Sequence, residues 1–173
     1  MERVNHLLDS LEIDPFKQRF PWIGGDLQTL RDTFVSENFP LESSERIQIR
    51  VPETPSSVGG AGFLLALLDL PKNLERIRGL VFMLHGLGGS SRRQGLRRMS
   101  LKLIDAGFAV LRVNLRGADP GRDLAGGTYS AKCNSDLIPA IINARQICQR
   151  LSDQHRSGEK PLPLYGVGIS LGG

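Results

Sequence analysis

The chain has 173 residues, of which 40% are hydrophobic, enough for one folded domain. Its net charge is only +4 and aromatic residues make up 6%, so the basic surface and stacking platforms of a nucleic-acid binder are not expected. Residues 1–14 carry charge throughout, and the longest apolar run, AGFLLALLDL, is too short to span a bilayer. We therefore expect a cytoplasmic protein without a transmembrane segment; the sequence leaves the oligomeric state open.

The first forty residues predict a lead-in segment. A short amphipathic helix is expected from Arg3 to Leu11, followed by a turn at FPWIGG and a helix from Leu27 to Val35. The sequence thus predicts a lead-in at residues 1–40 and a main domain at residues 41–173.

Two strands are expected at the start of the main domain. Polar and apolar residues alternate from Glu45 to Val51, which is the period of a half-buried strand. The run FLLALLDL fits a helix or a strand by periodicity, but glycine before it and Pro71 after it favour a strand.

From Gly79 onward the pattern alternates strands with helices. Strands are predicted at residues 79–84, 108–115 and 161–169, with a helix before Gly107 and another from about Asp136 to Leu151. The second helix has five apolar residues that are available to pack into a core: Leu137, Ile138, Ile141, Ile142 and Ile147. This order predicts an α/β domain with a mostly parallel sheet and flanking helices.

A serine flanked by glycines follows the last predicted strand. Residues 168–172, GISLG, fit the pattern G-x-S-x-G, in which a sharp strand-to-helix turn exposes a nucleophilic serine. Side chains at the two glycine positions would clash with neighbouring backbone. We interpret Ser170 as a candidate catalytic nucleophile, because the match directly follows an apolar strand.

The same glycines do not fit nucleotide-binding loops. Gly166 and Gly168 match the first two positions of G-x-G-x-x-G, but Leu171 stands at the third, and Ser91 breaks the match that Gly86 and Gly88 begin. No phosphate-binding G-x-x-x-x-G-K-[ST] motif is present. No nucleotide cofactor is expected.

HGLGGS after the strand at residues 79–84 supplies a second feature of serine hydrolases. Acyl transfer needs two backbone N–H groups directed at the oxyanion of the tetrahedral intermediate. One follows the nucleophile and belongs here to Leu171; the other comes from the loop after the earlier strand, here Leu87. We expect these two N–H groups to form the oxyanion hole.

The run HGLGGSS…LRVNLRG…SDL…LYGVGISLGG resembles the α/β-hydrolase fold. The earlier FPWIGGDLQTL narrows the resemblance to the YheT-like branch of esterases, although Asp26 stands where that branch usually carries histidine. The resemblance implies a carboxylic ester hydrolase that acts through an acyl-enzyme on a small-molecule or lipid-like ester, without a cofactor. A non-catalytic binding or scaffold protein with the same fold is the alternative.

The family's catalytic acid and histidine follow its serine along the chain. Only three residues follow Ser170, and the three histidines, His6, His85 and His155, precede it. We therefore expect an N-terminal fragment of a longer hydrolase, inactive alone. The helix expected after Ser170 is missing, which predicts partial exposure of four apolar residues, Val81, Met83, Val110 and Leu164.

Three other sets of residues predict no site. Cys133 and Cys148 have the spacing of neither a zinc site nor a disulfide framework, so reduced thiols are expected. Asp119, Asp123 and Asp136 lack the close spacing of metal ligands. The basic run at residues 92–98 is expected to form the solvated side of a helix, not a nucleic-acid surface.

Overall fold

The computed structural model describes residues 17–34, 44–53, 60–129, 133–155 and 160–173. Contacts divide the chain into one unit at residues 1–37 and another at residues 38–173. The first unit contains helix α1 (Gly25–Phe34), which begins two residues earlier than predicted. The helix predicted from Arg3 to Leu11 lies outside the described residues.

The second unit is built on a five-stranded sheet. Its strands are β1 (Glu45–Val51), β2 (Gly62–Asp69), β3 (Leu80–Leu84), β4 (Ala109–Val113) and β5 (Leu164–Gly168). All five were predicted, and their order in the sheet is β1-β2-β4-β3-β5. β3 pairs in parallel with both β4 and β5, whereas β2 is antiparallel to β1 and β4. The sheet is therefore mixed, with its parallel part where strands and helices alternate.

Helices α2 (Gln94–Asp105) and α3 (Leu137–His155) cover opposite faces of this sheet. α2 ends at Asp105, before Gly107 as predicted, and the φ of +87° at Gly107 suits glycine. There the N–H of Gly107 bonds to the carbonyl of Ile104, and that of Phe108 to the carbonyl of Leu103. α3 runs four residues further than predicted and includes His155, which was expected in a polar linker after the helix.

Alternate residues of β3 enter the two halves of the core. Leu80, Phe82 and Leu84 pack towards α3, while Val81 and Met83 pack towards Leu96 of α2. The expectation of partial exposure was wrong for Val81, Met83 and Val110, each at most 3% exposed, whereas Leu164 is partly exposed as expected. α2 already covers the face of the sheet on which the first three lie.

The buried face of α3 differs from the predicted one. Its buried apolar residues are Ala140, Ala144, Ile147, Cys148 and Leu151. Ile138, Ile141 and Ile142 were expected in the core but are 63%, 41% and 52% exposed. The helix therefore packs the face that carries Ala140 and Ala144 against the sheet, and the three isoleucines lie outside the core.

No helix in the described part of the chain is both long enough and apolar enough to cross a membrane.

Candidate functional site

The carboxyl ends of β3 and β5 bring two loops together. Leu84 is the register partner of Gly168, and the N–H of Ile169 donates a hydrogen bond to the carbonyl of Leu84 at 3.2 Å. Both strands run in the same direction, so the residues that follow them lie side by side. His85-Gly86 therefore lies next to Ile169-Ser170.

Ser170 has a φ of +53° and is the one non-glycine residue with positive φ in the described part of the chain. The left-handed conformation is strained for residues with a Cβ atom. A Cβ on Gly168 would lie 2.0 Å from the carbonyl oxygen of Gly172, and one on Gly172 would lie 2.7 Å from the carbonyl oxygen of His85. The turn around Ser170 therefore requires glycine at both flanking positions.

Gly86 brings the loop after β3 into contact with this turn. A Cβ at Gly86 would lie 2.8 Å from the carbonyl oxygen of Ile169 and 3.1 Å from the Cβ of Ser170. Glycine thus permits the close approach of the two loops. Leu87, a predicted oxyanion donor, is the next residue along the chain.

The N–H groups of Leu87 and Leu171 are available as donors. In the turn after β3, Gly89 donates to Gly86 at 3.0 Å, and after β5, Gly172 and Gly173 donate to Ile169 and Ser170. No hydrogen bond within the described residues uses the N–H of Leu87 or of Leu171. Two unpaired donors therefore lie in the loops that meet at Ser170.

His85 is fully buried and both of its ring nitrogens are occupied. Nε2 accepts the N–H of Leu115 at 3.1 Å, which leaves Nδ1 protonated to donate to the carbonyl of Gly86 at 2.8 Å. Burial lowers the pKa of His85 below its ordinary value of 6.5, and the bond to Gly86 offsets part of this effect. His85 therefore holds the loop as a neutral ring and is not placed to act as a base.

Tyr129 also holds the loop after β3, and sequence reasoning missed it. Its hydroxyl accepts the N–H of Gly88 at 2.6 Å, and its ring meets that of His85 edge to face at 5.5 Å. The N–H of Tyr129 bonds in turn to the carbonyl of Arg116. Tyr129 is 41 residues from Gly88 along the chain, so no local pattern could have indicated this contact.

Arg116 anchors the segment that carries Tyr129. Its guanidinium forms a bidentate pair with buried Asp136, both N–O distances being 2.9 Å. It also donates to the carbonyls of Gly60, Gly126 and Pro52. These acceptors replace the water that burial removes from the charge.

The remaining candidate residues are scattered. Asp136 is engaged by Arg116, whereas Asp119 pairs with Arg122 at the surface. The described residues hold no group of three or more potential metal ligands. Cys148 is a buried free thiol whose pKa is raised to about 11 by burial, and the side chain of Cys133 lies outside what the structure describes.

Comparison with solved structures finds chains of similar fold. A soluble variant of monoglyceride lipase from Saccharomyces cerevisiae, in complex with a substrate analog, matches 79% of this chain and 40% of its own, with 20% identity and a TM-score of 0.52. Est1E from Butyrivibrio proteoclasticus with bound ferulic acid matches 73% and 43%, with 20% identity and a TM-score of 0.49. XC6422 from Xanthomonas campestris, an a/b serine hydrolase without lid, matches 79% and 55%, with 19% identity and a TM-score of 0.49.

The likeness to the yeast lipase shows the fold. The predicted α/β-hydrolase fold, with helices on both faces of the sheet, is confirmed. The chain spans between 40% and 55% of the length of these three structures. No protein-family model and no curated protein matches the sequence.

Proposed function

We propose that this chain carries the nucleophile and the oxyanion hole of a serine hydrolase of the YheT-like branch. Its substrates would be carboxylic esters, either small molecules or lipid-like, and its compartment the cytoplasm. The observation that carries the proposal is the strained backbone of Ser170, with φ +53°, at the carboxyl end of β5. Backbone strain of this kind concentrates at functional sites. In a G-x-S-x-G turn the strain comes from the sharp strand-to-helix bend that exposes the serine.

Ser170 would act by nucleophilic attack. Its Oγ forms a bond to the ester carbonyl carbon and gives its proton to a base, and the carbonyl π electrons move onto the oxygen. Collapse of this tetrahedral intermediate breaks the bond to the alcohol, which leaves with the proton. Water then attacks the acyl-enzyme by the same steps, releasing the acid and restoring Ser170.

The N–H groups of Leu87 and Leu171 would stabilise the negative oxygen of the intermediate. Their availability as donors supports this role, as does the contact between the loops at Gly86. A preorganised donor of this kind contributes about 3 kcal/mol to the transition state. The side chains of the two leucines are 80% and 41% exposed, which offers apolar surface for the acyl or alcohol part of the ester.

The base and the acid of the triad are proposed to come from residues outside this sequence. His85 is occupied at both nitrogens, and the Ser170 hydroxyl makes no hydrogen bond within the described residues. Without a base the serine is a poor nucleophile at neutral pH, so the chain alone is expected to be inactive. A serine without a base nearby is also what the alternative, a non-catalytic binding or scaffold protein with this fold, would have.

A fluorophosphonate probe separates the two functions. It should be applied to the protein encoded by the complete natural gene, and the labelled residue should be mapped by mass spectrometry. We expect label at Ser170, none after Ser170→Ala, and undiminished label after Ser91→Ala. Ser91 is the matched control in the loop after β3, because its hydroxyl makes no hydrogen bond within the described part of the chain. Label that persists in Ser170→Ala would reject Ser170, and absence of label on every serine would favour the non-catalytic alternative.

The inactivity of the chain alone is tested separately. The purified 173-residue protein should hydrolyse p-nitrophenyl esters no faster than its Ser170→Ala variant. Turnover that this substitution abolishes would mean that the base lies within the chain.

A further inference from the structure

A cleft of about 330 Å³ opens at the carboxyl ends of β3 and β4. One wall consists of residues 88–90 and Arg93, the other of residues 117–119 and Arg122, and Tyr129 also lines the cleft. In open α/β sheets, ligands bind outside the carboxyl ends of adjacent strands. The cleft begins one residue after Leu87, so it lies beside the loop to which we assign an oxyanion donor.

Two arginines and one aspartate are the charged groups that line the cleft: Arg93, Arg122 and Asp119. Arg122 pairs with Asp119 at 3.4 Å, but these side chains are 65% and 70% exposed, so the pair is weakly held. Formal charges in the cleft therefore sum to one excess positive charge.

The side chain of Arg93 makes fewer polar contacts within the protein than that of Arg122 does. It donates one hydrogen bond, to the carbonyl of Gly88 at 3.2 Å, and has no carboxylate partner among the described residues. A guanidinium has five N–H donors, so most of those on Arg93 remain for a ligand. They are arranged as a planar fork that fits the oxygens of a carboxylate or a phosphate.

Other donors around Arg93 favour the same ligand chemistry. Arg93 is the N-cap of α2, whose first turn has no acidic residue, so nothing there neutralises the positive end of the helix. The Ser90 oxygen accepts the N–H of Arg92 and leaves the hydroxyl proton to donate. The N–H groups of Gly88 and Gly89 are already used by Tyr129 and Gly86, so side chains must provide the recognition.

We propose that this cleft binds a carboxylate or phosphate group, and that the hydrolase acts on esters that carry such a group away from the scissile bond. The assignment of this group to the substrate rests on the proposed function; the anion site itself does not. The basic run at residues 92–98 thus has one member with a binding role, in a position that local sequence pattern did not indicate.

Calorimetric titration of the protein with inorganic phosphate, and separately with succinate, tests the site. We expect saturable binding of at least one of the two, weakened about tenfold by Arg93→Gln, the loss of one charge-assisted hydrogen bond. Arg92→Gln is the matched control, because it removes the same charge from the exposed neighbouring residue outside the cleft. It should change the affinity less than twofold.

The two probes identify the group, since saturation by phosphate alone indicates a phosphate ester and saturation by succinate alone a carboxylate. If Arg93→Gln and Arg92→Gln weakened anion binding equally, the proposal would be overturned, because the anions would then respond to the overall positive charge of the protein and not to the cleft. The absence of saturable binding of both anions would overturn it as well.

Failure of the site and failure of the hydrolase are distinguishable. Ser170 does not line the cleft, so Ser170→Ala should bind the anion as well as the unmodified protein does. Arg93-dependent binding without fluorophosphonate labelling would keep the site and reject the hydrolase. Labelling at Ser170 with anion binding insensitive to Arg93→Gln would keep the hydrolase and reject the anion site.

Discussion

The hydroxyl of Tyr129 accepts the backbone N–H of Gly88 at 2.6 Å. This bond connects the segment after β4 to the loop after β3, and it lies one residue from Leu87. The position of a proposed oxyanion donor therefore depends on a side chain 41 residues away from Gly88.

Tyr129→Phe removes this bond but keeps the aromatic contact with His85. We expect the free energy of unfolding to fall by about 0.5–1.5 kcal/mol, and the amide of Gly88 to exchange its hydrogen faster. Urea unfolding and hydrogen exchange followed by NMR measure the two effects. Tyr165→Phe is the control, because the Tyr165 hydroxyl has no hydrogen-bond partner among the described residues; unchanged exchange at Gly88 in Tyr129→Phe would contradict the prediction.

Gly86→Ala should force the two loops apart. The added methyl group would lie 2.8 Å from the carbonyl oxygen of Ile169, and overpacking of this kind costs about 1–3 kcal/mol. Gly95→Ala provides the comparison, since Gly95 lies in α2 with no atom within 4 Å of an added Cβ. It should stabilise the protein by up to about 1 kcal/mol. Thermal unfolding of both variants checks the opposite signs; similar shifts would show that the loops can separate without cost.

Ser170→Gly and Ser170→Ala separate backbone strain from loss of the hydroxyl. Alanine keeps a Cβ in the left-handed conformation, whereas glycine relieves it. The glycine variant should be more stable than the alanine variant by about 1–2 kcal/mol. Denaturant unfolding measures the difference, and equal stabilities would mean that the turn at Ser170 stores no strain.

His85 predicts a pH dependence of stability. Its pKa is lowered in the folded state, so below pH 6.5 the unfolded chain takes up a proton that the folded chain does not. The contribution of His85 to stability is therefore present above pH 6.5 and declines as the pH falls towards the folded pKa.

The comparison with His85→Gln isolates this effect. The stability difference between the unmodified protein and this variant should shrink between pH 7 and pH 5 in urea unfolding experiments. A constant difference for His85→Gln would mean that the ring is not held neutral.

Features set by neighbouring residues could be predicted from the sequence, but those set by distant contacts could not. Strand alternation and the glycines around Ser170 are local, and the strands and the fold followed from them. The exposure of Ile138 was not predicted, because helical spacing alone does not say which face of α3 packs against the sheet. Arg112 lies in a predicted strand, yet its buried pairing with Asp69, at 2.8 Å, joins residues that are 43 positions apart.

Arg116 has a consequence for the cooperativity of folding. Its acceptors at Pro52, Gly60, Gly126 and Asp136 come from separate segments, up to 64 residues away. A partly assembled chain that lacked one of these segments would leave the guanidinium short of acceptors in a site from which water is excluded, and such states carry a free-energy penalty of several kcal/mol. Because the buried charge penalises partly assembled states, we expect the unit at residues 38–173 to fold in a single cooperative transition.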